Sequence, residues 1–500
     1  MIADTIARGA AVWPVATPLM AAALTLILRR SPVAQRAVME GGVMLMLGAS
    51  LMLLVRVAGG DVAIMAFGGW GAPFGITFVA DRLGAALSVV TGVVALAVAI
   101  YARADIRARR RRAGFDPLFL GMLAAVNGAF LTGDLFNLYV WFELMLVAAL
   151  GLITLDRRPA QIGGAIRYAA MSMLGATFIL IGIGLLYGET GTLDIAHLGR
   201  TLAGREPTLT LSTSAFMLLA GFALKAGLFP LFFWLPASYH TAPISVTAAL
   251  AGLLTKVGFY ACLRVLVVVF GISGTPIVPG LPQLAALLAA ATMIVSVLAA
   301  MAQVDLRRLL AFHILAQVAY LMMGLALASS VGLAAAIVYM MHTMLVQTGL
   351  FLGAGAIARA QGSYDLRLGA GLVHDRPLFT ALFAVMALSL SGVPPLSGFW
   401  TKFLVIDAAF RSGAAWLAVV ALIVGFLTMY SMSTVWSDAF WGTTSRRRRL
   451  IRPIPPAMMI AMTLLAACTI GIGLAFDTVF TFASDATVQL TRTMSVGMTR

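Results

Sequence analysis

An all-α polytopic membrane protein is the fold class this sequence predicts, and three observations carry the prediction. Of 500 residues, 61% are hydrophobic and only 11% charged, against about a quarter charged in soluble globular domains. The apolar residues fall in runs of about 20, the length of a helix that crosses the hydrocarbon layer, and about fourteen such runs follow one another along the chain. Among 34 basic side chains, most arginines sit in the short connections, whereas all three lysines, Lys225, Lys256 and Lys402, sit inside apolar runs. The net charge of +15 is therefore a topology signature, and no nucleic-acid partner is expected.

The first run extends from Val12 to Leu28 and ends at Arg29, Arg30 and Arg36; with no cleavage site it reads as a retained helix. The second is Val38 to Val57, followed by a glycine-rich stretch, Asp61 to Val79, whose short alternating runs predict a small hairpin. The third, Leu83 to Tyr101, meets Arg103, Arg107 and Arg109 to Arg112. The fourth (Leu118 to Thr132) and fifth (Leu135 to Leu155) flank Gly133 and Asp134, the latter expected to cap the fifth helix. The sixth, Gly163 to Tyr187, leads to a polar loop holding Glu189, Asp194, His197 and Arg200. The seventh, Leu211 to Trp234, contains Lys225, and the eighth, Ile244 to Phe270, contains Lys256. The ninth to eleventh are Leu284 to Val304, Leu309 to Ala328 and Leu333 to Ile357. The twelfth, Leu378 to Phe410, exceeds one straight span and is interrupted at Ser391-Gly392-Val393-Pro394-Pro395. The thirteenth is Trp416 to Phe440, with arginines at 446–449 after it, and the fourteenth Ala457 to Phe476.

Arginine clusters follow the odd runs, so the odd-to-even connections are expected on the cytoplasmic side of the cell membrane and both termini outside. The seventh and twelfth runs each carry one lysine, each is broken by glycine and proline, and each is fourth in a group of five. Such interrupted segments in two halves point to inverted five-helix repeats with the transport site at the breaks. The implied organisation is residues 1–115 for three leading helices, 116–272 and 273–440 for the repeats, and 441–500 for the last helix and tail.

A charged group in a spanning helix is costly and functional by default. Glu143, in the fifth run, needs a cation to stay ionised there, and Lys225 is its natural partner. Lysine suits proton transfer because its proton affinity responds to its surroundings, whereas arginine stays charged; Lys225, Lys256 and Lys402, linked by water, would pass protons laterally. His313 and His342 also lie in apolar runs and titrate near neutrality, and Gln347, about one turn beyond His342, is expected to hold water with it. His240, at a segment junction beside Tyr239 and Pro243, is a possible gate. Cys262 and Cys468 lie in apolar runs, no phosphate-binding loop follows a strand, and no ligand set has metal spacing. Neither cofactor, metal nor covalent chemistry is expected.

The residues carry a family resemblance. Asn127 to Leu138 (NGAFLTGDLFNL) with Phe142-Glu143, Ala223 to Pro230 with Trp234-Leu235-Pro236, Leu254 to Gly258, and Pro394 to Phe399 with Lys402 resemble the D subunit of the multisubunit Mrp-type Na+/H+ antiporters. These are relatives of the antiporter-like proton-pumping subunits of respiratory complex I. The resemblance covers nearly the whole chain. It implies a fourteen-helix fold, a Glu143/Lys225 pair, Lys256 as the central relay and Lys402 as the terminal one. Two positions depart: Gln347 stands where many relatives carry lysine, and Tyr239 where complex I relatives tend to carry histidine. The expectation is a proton-translocating subunit of a Na+/H+ antiporter, working with other subunits in the lipid bilayer. The alternatives are a pumping subunit of a quinone- or hydrogenase-linked redox complex, and a scaffold whose charges are structural.

Overall fold

The computed structural model describes residues 9–71, 73–274, 276–368, 371–441 and 452–492. The chain is helical almost throughout. Its first half contains α1 (Trp13–Ile27), α2 (Pro32–Val57), α3 (Arg82–Asp105), α4 (Ala108–Arg112), α5 (Phe115–Leu131), α6 (Leu135–Ile153), α7 (Pro159–Thr190), α8 (Ile195–Leu202), α9 (Leu209–Ala226), α10 (Trp234–Ser238) and α11 (Ile244–Val268). The second contains α12 (Leu281–Met301), α13 (Leu306–Ala326), α14 (Ser330–Gln361), α15 (Leu372–Asp375), α16 (Pro377–Ser391), α17 (Ser397–Arg411), α18 (Ala415–Trp436), α19 (Pro456–Leu474) and α20 (Phe476–Arg492). Among the described residues, eleven helices are long and apolar enough to cross a membrane, and α1, α5 and α16 are shorter apolar helices. The chain is a multi-pass membrane protein.

Short polar residues set where the helices begin. Asp81, Asp134, Asp194, Thr208, Asp305 and Ser329 each accept a backbone N–H from the first turn of α3, α6, α8, α9, α13 and α14, as N-caps do. Asp134 thus has the capping role expected of it. The core lies around α11, α13 and α14, whose apolar windows are 100%, 94% and 100% buried, whereas those of α2, α7, α18 and α19 are only 39% buried. The outer helices present Val55, Val147, Ile166 and Phe426, apolar surface suited to lipid.

Two backbone arrangements occur twice. Leu135 N–H donates to Leu193 and Ile195 N–H to Gly133, and the same pair recurs as Leu306 to Tyr364 and Leu366 to Val304. Both interrupted helices end alike. After α9, Gly227 adopts φ 81°, its N–H donates to Leu224 and that of Leu228 to Ala223. After α16, Gly392 adopts φ 88°, its N–H donates to Ser389 and that of Val393 to Leu388. This is the Schellman ending, which needs a left-handed residue that glycine adopts without steric cost.

The connections hold more structure than the sequence predicts. The glycine-rich stretch forms the expected hairpin, β1 (Ala63–Ala66) antiparallel to β2 (Thr77–Ala80). The arginine run 109–112 folds into α4, and the expected polar loop contains α8, whose Ile195, Leu198 and Leu202 are buried along one face. The largest correction is at the C-terminal end, where the chain turns at Ala475 and continues as α20. Ala483, Ala486 and Leu490 are buried, and Arg82 pairs with Asp485 at 2.9 Å. Sparse apolar residues at helical spacing suffice there because α20 packs on α3 and α14. The arginines at 446–449 lie outside the described residues.

Asp81 also binds the buried guanidinium of Arg264 in α11, which in turn contacts the Tyr260 hydroxyl. Truncating one partner of a buried pair costs about 3–5 kcal/mol, so Asp81→Ala is expected to lower the melting temperature in detergent sharply. An unchanged melting curve would show that the pair contributes nothing to the packing of α3 on α11.

Candidate functional site

Each lysine within the apolar helices is buried, and each meets a different acceptor. Lys225, in the last turn of α9, is 8% exposed. Its ammonium donates to the Ser172 hydroxyl of α7 at 2.7 Å, lies 4.0 Å from Glu143 Oε1 of α6 and faces the Phe142 ring at 5.5 Å. The expected partnership with Glu143 is thus an ion pair at the limit of contact, and Ser172 supplies the direct hydrogen bond. The Glu143 side chain is 34% exposed, so it reaches the surface of the chain. Beside Lys225 is a cavity of ≈ 20 Å³ lined by Tyr168, Ser172, Trp234 and Leu254, room for about one water.

Lys256 lies on α11, packed between α9 and α14, and is fully buried. Its ammonium donates to the Ala251 carbonyl at 2.7 Å and to the Gln347 side-chain oxygen of α14. Gln347 therefore faces Lys256 through its side-chain oxygen. His342 Nδ1 lies 2.8 Å from the Ser397 hydroxyl at the start of α17. Ser397 contacts Thr469 of α19 at 2.5 Å, and Thr469 contacts Ser389 in the last turn of α16 at 2.9 Å. Four elements thus meet in one buried hydroxyl cluster at the second break.

Lys402, on α17, turns back across that break. Its ammonium donates to the carbonyls of Leu390 and Ser391 at 2.8 and 3.2 Å, where the α16 dipole is negative and carbonyls lack helical partners. The Tyr320 ring lies 5.4 Å away. At the first break the freed Leu224 carbonyl instead accepts the indole N–H of Trp234. His313 contacts Ser431 at 2.9 Å. Several polar atoms along this course have no hydrogen-bond partner among the described residues: Glu143 Oε1, Tyr239 Oη, Thr255 Oγ1, Gln347 Nε2, His342 Nε2 and His313 Nδ1. Buried polar groups are ordinarily satisfied, so this row of free valences is suited to water.

His240, at the connection between α10 and α11, bonds through Nδ1 to the Pro236 carbonyl at 2.8 Å and through Nε2 to Arg308 at 3.2 Å. The first contact requires Nδ1–H and the second a lone pair on Nε2. Burial, and then the Arg308 guanidinium, lower its pKa below the usual imidazole value, so His240 acts as a neutral joint between the α10–α11 connection and α13.

Sequence reasoning brought Glu143, Lys225, Lys256 and Lys402 to attention through their charge. It passed over Ser172, Ser389 and Thr469, single hydroxyls in apolar runs with no local signal, and quoted Ser397 only as part of the motif at the second break. It also missed Arg264 and Asp81, which are far apart in sequence.

Residues 132–428 match the family described as NADH:quinone oxidoreductase/Mrp antiporter, TM. The chain is 36% identical to the D subunit of the Na+/H+ antiporter from Alkalihalophilus pseudofirmus, over 96% of each. It is similar to a chain of the Mrp complex from Dietzia sp. (TM-score 0.90, 29% identity, 97% of this chain and 98% of that one). It is likewise similar to a chain of the membrane-bound sulfane sulfur reductase, an archaeal respiratory membrane complex (TM-score 0.89, 25% identity, 98% and 99% covered).

The second break depends on contact without a side chain: a Cβ on Gly398 would lie 1.7 Å from the Ser389 carbonyl oxygen, whereas one on Gly471 would meet nothing within 4 Å. Overpacking costs about 1–3 kcal/mol and more where backbone must move. Gly398→Ala should therefore lower the melting temperature by several degrees while Gly471→Ala leaves it near wild type. Equal behaviour would mean that α16 and α17 are not held in contact.

Proposed function

The chain belongs to the membrane-subunit family shared by NADH:quinone oxidoreductases and Mrp antiporters, and on that premise we propose that it is the proton-translocating subunit of a multisubunit Na+/H+ antiporter of the cytoplasmic membrane. The observation that carries the reading is the set of buried lysines on α9, α11 and α17, each held by neutral or dipolar acceptors and not locked to a carboxylate by a direct hydrogen bond. A fully neutralised, tightly bonded pair would favour the scaffold reading. Lys256 and Lys402, held by an amide and by helix carbonyls, can give up a proton without stranding an opposite charge, and Lys225 has its carboxylate only at the limit of contact.

In this reading Lys225, balanced by Glu143, takes part in exchange on the α9 side, and Lys256 carries the proton between the halves. Gln347 orients Lys256 and does not itself titrate. From there the route runs by water and His342, with the Ser397, Thr469 and Ser389 hydroxyls, to Lys402 at the α16 terminus; His313 borders it. The twofold occurrence of the backbone pairings and Schellman endings supports two inverted five-helix repeats over 116–272 and 273–440. The eleven long and three shorter apolar helices support fourteen spans, and the arginines of the odd-to-even connections support both termini outside.

A second reading, a pumping subunit of a respiratory redox complex, draws on the similarity to the sulfane sulfur reductase chain. Purification with iron–sulfur or quinone-binding partners would favour it.

Cation-dependent proton exchange in membrane vesicles tests the relay, after incorporation into the complex has been verified. Lys256→Ala should abolish exchange because a methyl group carries no proton. Lys225→Arg should abolish it too, because arginine keeps the charge but does not release it. Full activity of Lys225→Arg would make that lysine a structural charge. The orientation has its own check: a single cysteine at position 109 should label only from the cytoplasmic side, and external labelling would overturn the topology.

A further inference from the structure

At the arginine-rich face, where the ends of α3, α6 and α14 meet the start of α11, lies a crevice of ≈ 500 Å³. Its walls carry five arginines, Arg107, Arg109, Arg110, Arg158 and Arg359, against two aspartates, Asp105 and Asp156. Both carboxylates are already engaged. Asp156 holds the Arg110 guanidinium through two bonds of 2.9 and 2.6 Å. Asp105 accepts the backbone N–H and the hydroxyl of Ser245 at 3.1 and 2.7 Å. These bonds tie α3, α4, α6 and α11 into a floor with its own charge largely balanced.

The rim is different. Arg107, Arg109, Arg158 and Arg359 are exposed, and none of their guanidiniums forms an ion pair or hydrogen bond among the described residues. Elsewhere at this face arginines such as Arg103, Arg307 and Arg367 are each bound by a carboxylate. Topology requires only that positive residues lie on one side of the membrane; it does not require four unpaired guanidiniums around one concavity, where like charges repel. The volume is that of a small-molecule site, and the planar fork of arginine matches phosphate oxygens two at a time.

We propose that this crevice binds an anion bearing two phosphate groups, each phosphate received by two of the four free guanidiniums above the Arg110–Asp156 floor. Such an anion comes either from solution or as the headgroup of a two-phosphate lipid. Ile244 and Met458 give the crevice an apolar edge compatible with either. The site is independent of the lysine row, so its test reads binding and not transport.

The intact complex purified in detergent is titrated with inorganic pyrophosphate by calorimetry, beside the Arg107→Gln/Arg359→Gln double variant. Both residues are exposed, and a melting temperature equal to that of wild type will establish that the variant is folded. Saturable pyrophosphate binding, weakened about tenfold or more for each guanidinium removed, supports the site with a soluble ligand. If pyrophosphate does not bind, native mass spectrometry that finds a two-phosphate lipid retained by wild type and lost from the variant supports it with a lipid source. The proposal is overturned if neither anion binds in preference to a neutral lipid, or if binding is unchanged in the variant. It is also overturned if a partner subunit's acidic segment shields these arginines from guanidine-directed labelling in the complex.

Discussion

An ammonium group held away from water must find acceptors, and where those acceptors come from governs much of this structure. Lys402 draws on the carbonyls of Leu390 and Ser391, which exist as free acceptors only because α16 stops at Gly392. Lys256 draws on a carbonyl of its own helix and on Gln347 across the α11–α14 contact. Lys225 draws on Ser172, with Glu143 at longer range. Dipolar acceptors stabilise the charge less completely than a carboxylate in direct contact would. In each of the three sites the ammonium's direct hydrogen bonds go to neutral groups, a hydroxyl, an amide or a carbonyl.

Those acceptors are available only if the helices approach closely. Where α9 meets α11, a Cβ on Gly258 would lie 2.6 Å from the Ala226 backbone nitrogen, one residue from Lys225. Where α11 meets α14, a Cβ on Gly252 would lie 2.1 Å from the Thr348 hydroxyl, and that contact brings Gln347 against Lys256. Small residues at helix crossings let backbones approach in membranes, where no hydrophobic drive holds the helices together. The Asp81–Arg264 pair holds α11 near its end, and the bonds from Ser245 to Asp105 hold it at its start.

The two halves share their backbone endings but not their chemistry. At the first break an indole N–H caps the freed carbonyl and the lysine precedes the turn; at the second the lysine follows the turn and is itself the cap. The Glu143 side chain in the first half is partly exposed, whereas His342, Ser397 and Thr469 are enclosed.

Much of the architecture was legible in the sequence. Runs of about 20 apolar residues have few folded alternatives in a bilayer, so the long helices, the breaks at Gly227 and Gly392 and the cap at Asp134 could be read locally. Charge in an apolar run likewise singled out Glu143 and the three lysines, because the cost of burying a charge is a property of the residue and its surroundings in the chain. The helix α20 was not legible, since its few apolar residues become a buried face only against α3 and α14. Nor was the acceptor of any lysine: Ser172, Gln347 and the α16 carbonyls are ordinary until the helices are packed, and Gln347 reads equally well as a neighbour of His342. The sequence by itself determined which groups must be buried in the membrane. Only the tertiary structure decided what each one meets there, because a hydrogen bond depends on which helix faces lie within about 3 Å of one another, and no local pattern encodes that distance.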